Sequence, residues 1–202
     1  IRRVVRVCHH IFSIFAKTKI VVYLRRQDAW FDSFFNQQLK DGFAPPSAAE
    51  LLSDIKIYLQ YHANLAIWAE YFGKDNILVR DYGNLLNGDI VADFCKVSSI
   101  KTQSLSQPKI TQGLVNAKLS RKSVALLQQA IHMKLDAEIQ ALLRQVIQGL
   151  SPDLTSSDHR REYTIFDPDF YSSVLELYNQ DNKKLSEDYI NLNLKSGSEI
   201  SA

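Results

Sequence analysis

The sequence predicts an α/β fold, rich in helix, with a parallel sheet covered by helices, and three observations lead there. Lys19–Leu24 (KIVVYL) and Asn76–Tyr82 (NILVRDY) are short apolar runs with the composition of strands. The segments around them repeat their apolar residues every three or four positions, as amphipathic helices do. Seven glycines and five prolines are too few for a loop-rich or all-β chain of 202 residues. The helical stretch between the two runs is what a parallel connection requires. Two strands alone cannot bury both faces of such a sheet. At least one further strand is therefore expected from elsewhere, most simply from sequence that would precede Ile1.

The elements follow in order. Ile1, Val4, Val5, Cys8, Ile11, Phe12 and Phe15 fall at helical spacing, with Arg2, Arg6, His9, Ser13 and Lys17 opposite. This helix has no start signal and is expected to end near Lys17-Thr18. After the first strand, Asp28 is a good N-cap for a helix reaching about Lys40, with Trp30, Phe31, Phe34, Phe35 and Leu39 on its apolar face. Asp41-Gly42 and Pro45-Pro46 break it. One long helix is predicted from about Ser47 to Phe72, with Leu51, Ile55, Tyr58, Leu59, His62, Leu65, Ala66 and Ala69 in register. Gly73 caps its end. Ile90–Val97 (IVADFCKV) reads as a short helix after the second strand. Ser98–Lys118 shows no periodicity and reads as a long loop, the kind of segment that often carries function. Ser120 caps a helix to about Gln148, with Val124, Leu127, Ile131, Leu135, Ile139, Leu142 and Val146 facing inward. Gly149 and Pro152 end it, an irregular stretch runs to Phe166, and Asp167-Pro168 starts a last helix through Tyr189. Residues 1–194 thus read as a single α/β domain, incomplete at its N-terminus, and 195–202 as a flexible tail.

Composition excludes several classes of function. Hydrophobic residues at 46% and charged residues at 23% are ordinary globular usage, so a disordered chain is not expected. The 24 basic and 22 acidic residues leave a net charge of +2, too small and too evenly spread for a nucleic-acid binder. Cys8 and Cys95 are too few and too far apart for a disulfide framework or a metal cluster, and read as free thiols in a reducing compartment. No apolar run approaches the roughly 18 residues of a membrane span. The first residues interleave Arg2, Arg3 and Arg6 with valines, unlike a signal peptide. A cytoplasmic protein is expected.

The segment with the most chemistry is Ile20–Lys40, IVVYLRRQDAWFDSFFNQQLK. Arg25 and Arg26 stand where the strand ends, the edge at which open α/β sheets bind ligands. Ser33, Asn36, Gln37 and Lys40 share a polar face of the helix that follows. A guanidinium at the strand end and a hydroxyl early in the next helix can meet on one phosphate, whose charge the helix N-terminus also favours. The plainer alternative pairs an arginine with Asp28 or Asp32 and leaves Ser33 facing water.

This order of strand, arginine, seven residues and a helical serine resembles the 3′-phosphate-binding element of sulfotransferases that use 3′-phosphoadenosine 5′-phosphosulfate. LRRQDAWFDSFFNQQLK, then Tyr61–Asp81 (YHANLAIWAEYFGKDNILVRD), then Asn116 and Leu119-Ser120, is similar to bacterial chains of that family, as are the closing Tyr178, Asn182, Leu185 and Tyr189. The similarity covers most of the chain between about Lys19 and Tyr189. It implies a sheet of the P-loop-NTPase/sulfotransferase type, and Arg25 and Ser33 as holders of the cofactor's 3′-phosphate, with Arg26 the competing arginine. It also implies a hydroxyl-bearing acceptor, of which a carbohydrate is one candidate. Nothing visible in the sequence requires a metal.

Two departures from that family matter. Its Gly- and Lys-containing loop, which cradles the 5′-phosphosulfate, has no counterpart, since no glycine occurs before Gly42. Its general base, a His or Glu, would lie upstream of Arg25, where only His9 and His10 offer an imidazole. His9 on a polar helix face reads as a solvated or core-edge residue, as does His10, and His62 reads as a packed core residue. His132 and His159 lack metal-ligand spacing, and His159-Arg160-Arg161 reads as a basic loop. Asp81 and Glu70 lack partners for acid–base work. No catalytic residue is assigned. Two rivals stand beside the sulfotransferase reading: a non-catalytic binding or scaffold module of the same fold, and another nucleotide-dependent, kinase-like transferase.

Overall fold

The computed structural model describes residues 1–43, 47–84, 90–100, 119–149 and 165–189. In chain order its elements are α1 (Arg2–Phe12), β1 (Ile20–Leu24), α2 (Gln27–Lys40), α3 (Ala48–Ile55), α4 (Tyr61–Phe72), β2 (Ile77–Asp81), α5 (Ile90–Val97), α6 (Arg121–His132), α7 (Ala137–Gly149), α8 (Pro168–Leu177) and α9 (Asn179–Asp188). Single 3-10 turns at Lys56–Leu59, Lys74–Asn76 and Tyr82–Asn84 join some of them. The expected α/β character holds: helices dominate around a small parallel sheet. The long loop beyond Ile100, the irregular stretch before Ile165 and the tail 195–202 lie outside the described residues, with Asn116 and His159-Arg160-Arg161.

The chain divides into two compact units. One comprises Ile1–Gln27, Lys56–Pro108 and Val174–Ala202, and the other Asp28–Ile55 and Lys109–Ser173. In the first unit β1 and β2 run parallel, with Ile20 opposite Ile77, Val22 opposite Val79 and Leu24 opposite Asp81. Because side chains alternate along a strand, Val21 and Tyr23 share one sheet face with Leu78 and Arg80. The helix α5 sits on that face: Asp93 accepts from the Tyr23 hydroxyl at 2.9 Å and from Arg80 Nε at 3.0 Å. The helix α4 packs on β2 and also meets α1 and α9. Gly73 ends α4 at φ +82°, a backbone conformation open to glycine, and its N–H reaches the Ala69 carbonyl.

In the second unit Phe31 and Phe35 of α2 are buried against Phe166 and Phe170, with ring centroids 4.9 to 5.5 Å apart between these pairs. Leu39 is also buried, while Trp30 stacks on Phe34 at 5.0 Å on the half-buried flank. Ser120 caps α6, its side chain accepting from the Ser123 N–H at 3.1 Å. Asp167 caps α8 through the Phe170 N–H at 2.8 Å, with Pro168 in the first helical position.

Several predicted boundaries move. The first helix ends at Phe12, not near Lys17, and the Ser13 hydroxyl donates to the His10 carbonyl there. The helix placed on an Asp28 cap begins two residues earlier than that cap implies, at Gln27, and Asp28 accepts from the Ala29 N–H. The single helix expected from Ser47 to Phe72 is broken at Lys56–Leu59. Side chains take the carbonyls at the break: Asn64 donates to Ile57 at 2.8 Å and Tyr178 to Lys56 at 3.5 Å. The helix from Ser120 to Gln148 turns at Met133 and Lys134, the latter at φ +50°, and resumes at Ala137. Of the residues expected inside, Val124 and Leu127 are buried, whereas Ile139, Leu142 and Val146 are exposed because α7 leaves the line of α6. The last helix breaks at Tyr178 into α8 and α9.

Candidate functional site at the end of the first strand

Leu24 closes β1 as a buried residue, and Arg25 follows directly at the carboxyl end of the parallel pair. Its main chain is fixed by Tyr61, the first residue of α4, whose buried side chain donates its hydroxyl to the Arg25 carbonyl at 2.8 Å. Its half-buried guanidinium lies 5.7 Å from the ring centroid of Tyr82, the residue after β2, in a cation–π contact. Arg25 is thus set between the ends of both strands, where an open parallel sheet presents its ligand edge.

Gln27, which the sequence did not single out, is fully buried beside this strand end. Its Nε2 donates to Asn182 Oδ1 at 2.6 Å, and Asn182 Nδ2 returns a bond to Gln27 Oε1 at 3.1 Å. The same Nε2 reaches the Leu59 carbonyl at 3.4 Å. This reciprocal amide pair ties the residues after β1 to α9 and to the 3-10 turn before α4. Its only sequence signal was Asn182 within the closing pattern. The rest of that pattern is core: Tyr178, Leu185 and Tyr189 are all buried.

Ser33 lies on α2 within the second unit, half-buried. The polar face expected around it is only partly wet. Gln37 is exposed and bonds Asp41 at 2.9 Å, but Asn36 is buried and accepts from the Leu119 N–H at 3.4 Å. Lys40 is half-buried, and burial draws its pKa below the usual lysine value. Asp32, one candidate partner for an arginine, accepts from the Tyr171 hydroxyl at 2.8 Å, and burial pushes that phenol upward. Asp28 is buried as well.

The histidines divide clearly. His9 packs against Tyr71 and Phe72, with centroids 5.7 and 5.4 Å apart, which is the core-edge role. His10 is exposed, and His132 is exposed with Nδ1 2.6 Å from the Gln128 carbonyl. His62 departs from the expected apolar packing: its Nε2 pairs with Asp188 at 2.6 Å, and its N–H donates to Asp181 at 2.9 Å. Lys74 also reaches Asp188, at 2.7 Å, so this group clamps α9 to α4. Glu70 forms an ion pair with Arg2. Among the described residues, no three His, Cys, Asp or Glu side chains gather as metal ligands do, and no helix is long and apolar enough to cross a membrane.

No family model matches the chain, and no solved structure matches it. An uncharacterized protein of Archaeoglobus fulgidus is 28% identical over 174 residues, covering 85% of this chain and 46% of the relative. The chain therefore spans just under half the length of that relative.

Proposed function

We propose that the chain is the C-terminal portion of a sulfotransferase-like protein that uses 3′-phosphoadenosine 5′-phosphosulfate, on a sheet of the P-loop-NTPase/sulfotransferase type. The observation that carries this reading is Arg25, at the carboxyl end of a strand in a parallel pair, with its carbonyl bound by Tyr61 and its guanidinium on Tyr82. In this reading Arg25 and Ser33 hold the 3′-phosphate of the nucleotide, a charge-assisted site in which the arginine fork matches phosphate oxygens. An acceptor hydroxyl, with carbohydrate as one candidate, attacks sulfur in line. The sulfur–oxygen bond to the 5′-phosphate breaks, and adenosine 3′,5′-bisphosphate leaves. Cys8 and Cys95, both free, support a reducing, cytoplasmic setting.

One feature favours a second reading. The second reading is a non-catalytic module that keeps the nucleotide site: no glycine stands between Ile1 and Gly42, so the given residues upstream of Arg25 carry no Gly- and Lys-containing loop. Both readings rest on the same phosphate contact, which calorimetric titration of the full-length protein tests. Arg25→Ala should weaken adenosine 3′,5′-bisphosphate by roughly ten- to a hundredfold, the worth of a hydrogen bond to a charged group. Adenosine 5′-phosphate, lacking the 3′-phosphate, should be nearly unaffected. Ser33→Ala should cost less, and the double variant less than the sum, since both groups serve one anion. Equal weakening of the two nucleotides would remove Arg25 from the site and turn attention to Arg26.

A further inference from the structure

Charge is spread less evenly along the chain than its net +2 suggests. Between Ile1 and Gln27 stand seven Lys and Arg residues and no Asp or Glu. The rest of the chain holds all 22 acidic residues against 17 basic ones. Arg3 and Arg6 of α1, and Lys17 and Lys19 in the segment that follows, are exposed. A basic stretch inside a nearly neutral protein points to an anionic partner.

The helix α1 sorts its side chains into rows at i, i+3 and i+7. Arg2, Val5 and His9 form the row that faces α4: Val5 is fully buried, His9 packs on Tyr71 and Phe72, and Arg2 pairs with Glu70. Arg3, Arg6 and His10 form the next row, and all three are exposed. Val4, Val7 and Ile11 form the row after that, about 150° round the helix from the docked one. They are 59%, 51% and 54% exposed. Beyond the helix end Ile14 and Phe15 continue the apolar surface at 80% and 58% exposed, and Phe12 lies 6.4 Å from Phe15 between ring centroids. Soluble surfaces rarely leave so continuous an apolar strip uncovered.

We propose that α1 is a peripheral membrane anchor that lies in the plane of an anionic lipid surface. Val4, Val7, Ile11, Ile14 and Phe15 enter the headgroup boundary, while Arg3, Arg6, Lys17 and Lys19 meet lipid phosphates. The docked row, on the far side of the helix, keeps the rest of its unit above the surface. A nucleic acid would use the basic row and leave the apolar one wet. A second copy of the chain would bring the basic rows of two helices together with no acidic residue of α1 to answer them. A lipid surface uses both rows at once. The inference is independent of the nucleotide site at Arg25, and neither stands or falls with the other.

Cosedimentation of the native full-length protein with lipid vesicles tests it. Vesicles of phosphatidylcholine containing about one-quarter phosphatidylglycerol should bind at least about tenfold more tightly than phosphatidylcholine alone. Raising salt from about 0.1 to 1 M shortens the reach of the basic groups from about 10 Å to about 3 Å and should weaken binding severalfold. Joint replacement Arg3→Gln and Arg6→Gln should cost roughly ten- to thirtyfold in affinity. Val7→Ser with Ile11→Ser should cost about tenfold or more. Both double variants change exposed side chains and should melt within about 2 °C of the parent. Failure of the full-length protein to bind anionic vesicles would overturn the proposal, as would binding that either double variant leaves intact. A drop of about 5 °C or more in the serine variant would show that another part of the protein covers the apolar row, and would overturn it too. So would tight binding of single-stranded RNA that the glutamine variant loses and the serine variant keeps.

Discussion

Asp93 is 2% exposed and carries a charge that two strands answer. Hydrogen bonding from Arg80 holds its carboxyl below the usual carboxylate range against the pull of burial, with the Tyr23 hydroxyl adding to the effect. A depressed carboxylate contributes stability above its unfolded value, near pH 4, and loses that contribution as pH falls toward its folded value. Asp93→Asn should therefore cost about 1 to 3 kcal/mol at neutral pH, discounted for the partly exposed Arg80. Urea unfolding of the two proteins at pH 7, 5 and 3 would check this, and the difference should shrink at the lowest pH. A constant difference would assign the loss to packing rather than charge. The role of Asp93 was not legible in IVADFCKV, because its partners lie 70 and 13 residues away. Arg25 was legible, since a strand of β-branched residues followed by a basic pair marks its own end. Gln27 was not, because a lone amide acquires meaning only from the buried amide it faces.

Helices were easier to find than their ends. Apolar spacing of 3.6 runs unbroken through Leu51, Ile55, Tyr58, Leu59, His62 and Leu65, with no glycine or proline to mark a stop. The break between α3 and α4 comes from side chains that capture carbonyls from afar, Tyr178 on Lys56 and Gln27 on Leu59. The α6–α7 break carries a local sign: Asp136, whose carbonyl accepts the Gln140 N–H, immediately precedes α7. The price of that turn is Lys134 at φ +50°, where an L side chain is strained by roughly 1 kcal/mol. Lys134→Gly should therefore be neutral to stabilising by up to about 1 kcal/mol, the reverse of the usual cost of glycine near helices. Ser120→Ala, at the other end of α6, should destabilise by about 1 kcal/mol through loss of its cap. Thermal unfolding of the two variants beside the parent chain would read both signs.

At the scale of the molecule, the parallel pair was legible because both strands are short β-branched runs separated by a crossover long enough to return the chain. The division into two units was not, since Gln27 and Asp28 fall in different units within one uninterrupted helical pattern. The same scale decides what these 202 residues can do alone. A transferred sulfuryl group leaves negative charge on the departing phosphate, and stabilising that charge needs donors already aimed at it. In the chain as given, the interval upstream of Arg25 contains no glycine, so no backbone nest of the phosphate-cradling kind is available there. Losing even one such donor costs roughly 10² to 10³ in rate. The purified chain should therefore show no turnover of radiolabelled 3′-phosphoadenosine 5′-phosphosulfate with any hydroxyl acceptor, even where it retains affinity for the bisphosphate. Measurable transfer by the chain alone would mean that other residues stabilise the leaving group, and the binding-module reading would fall with it.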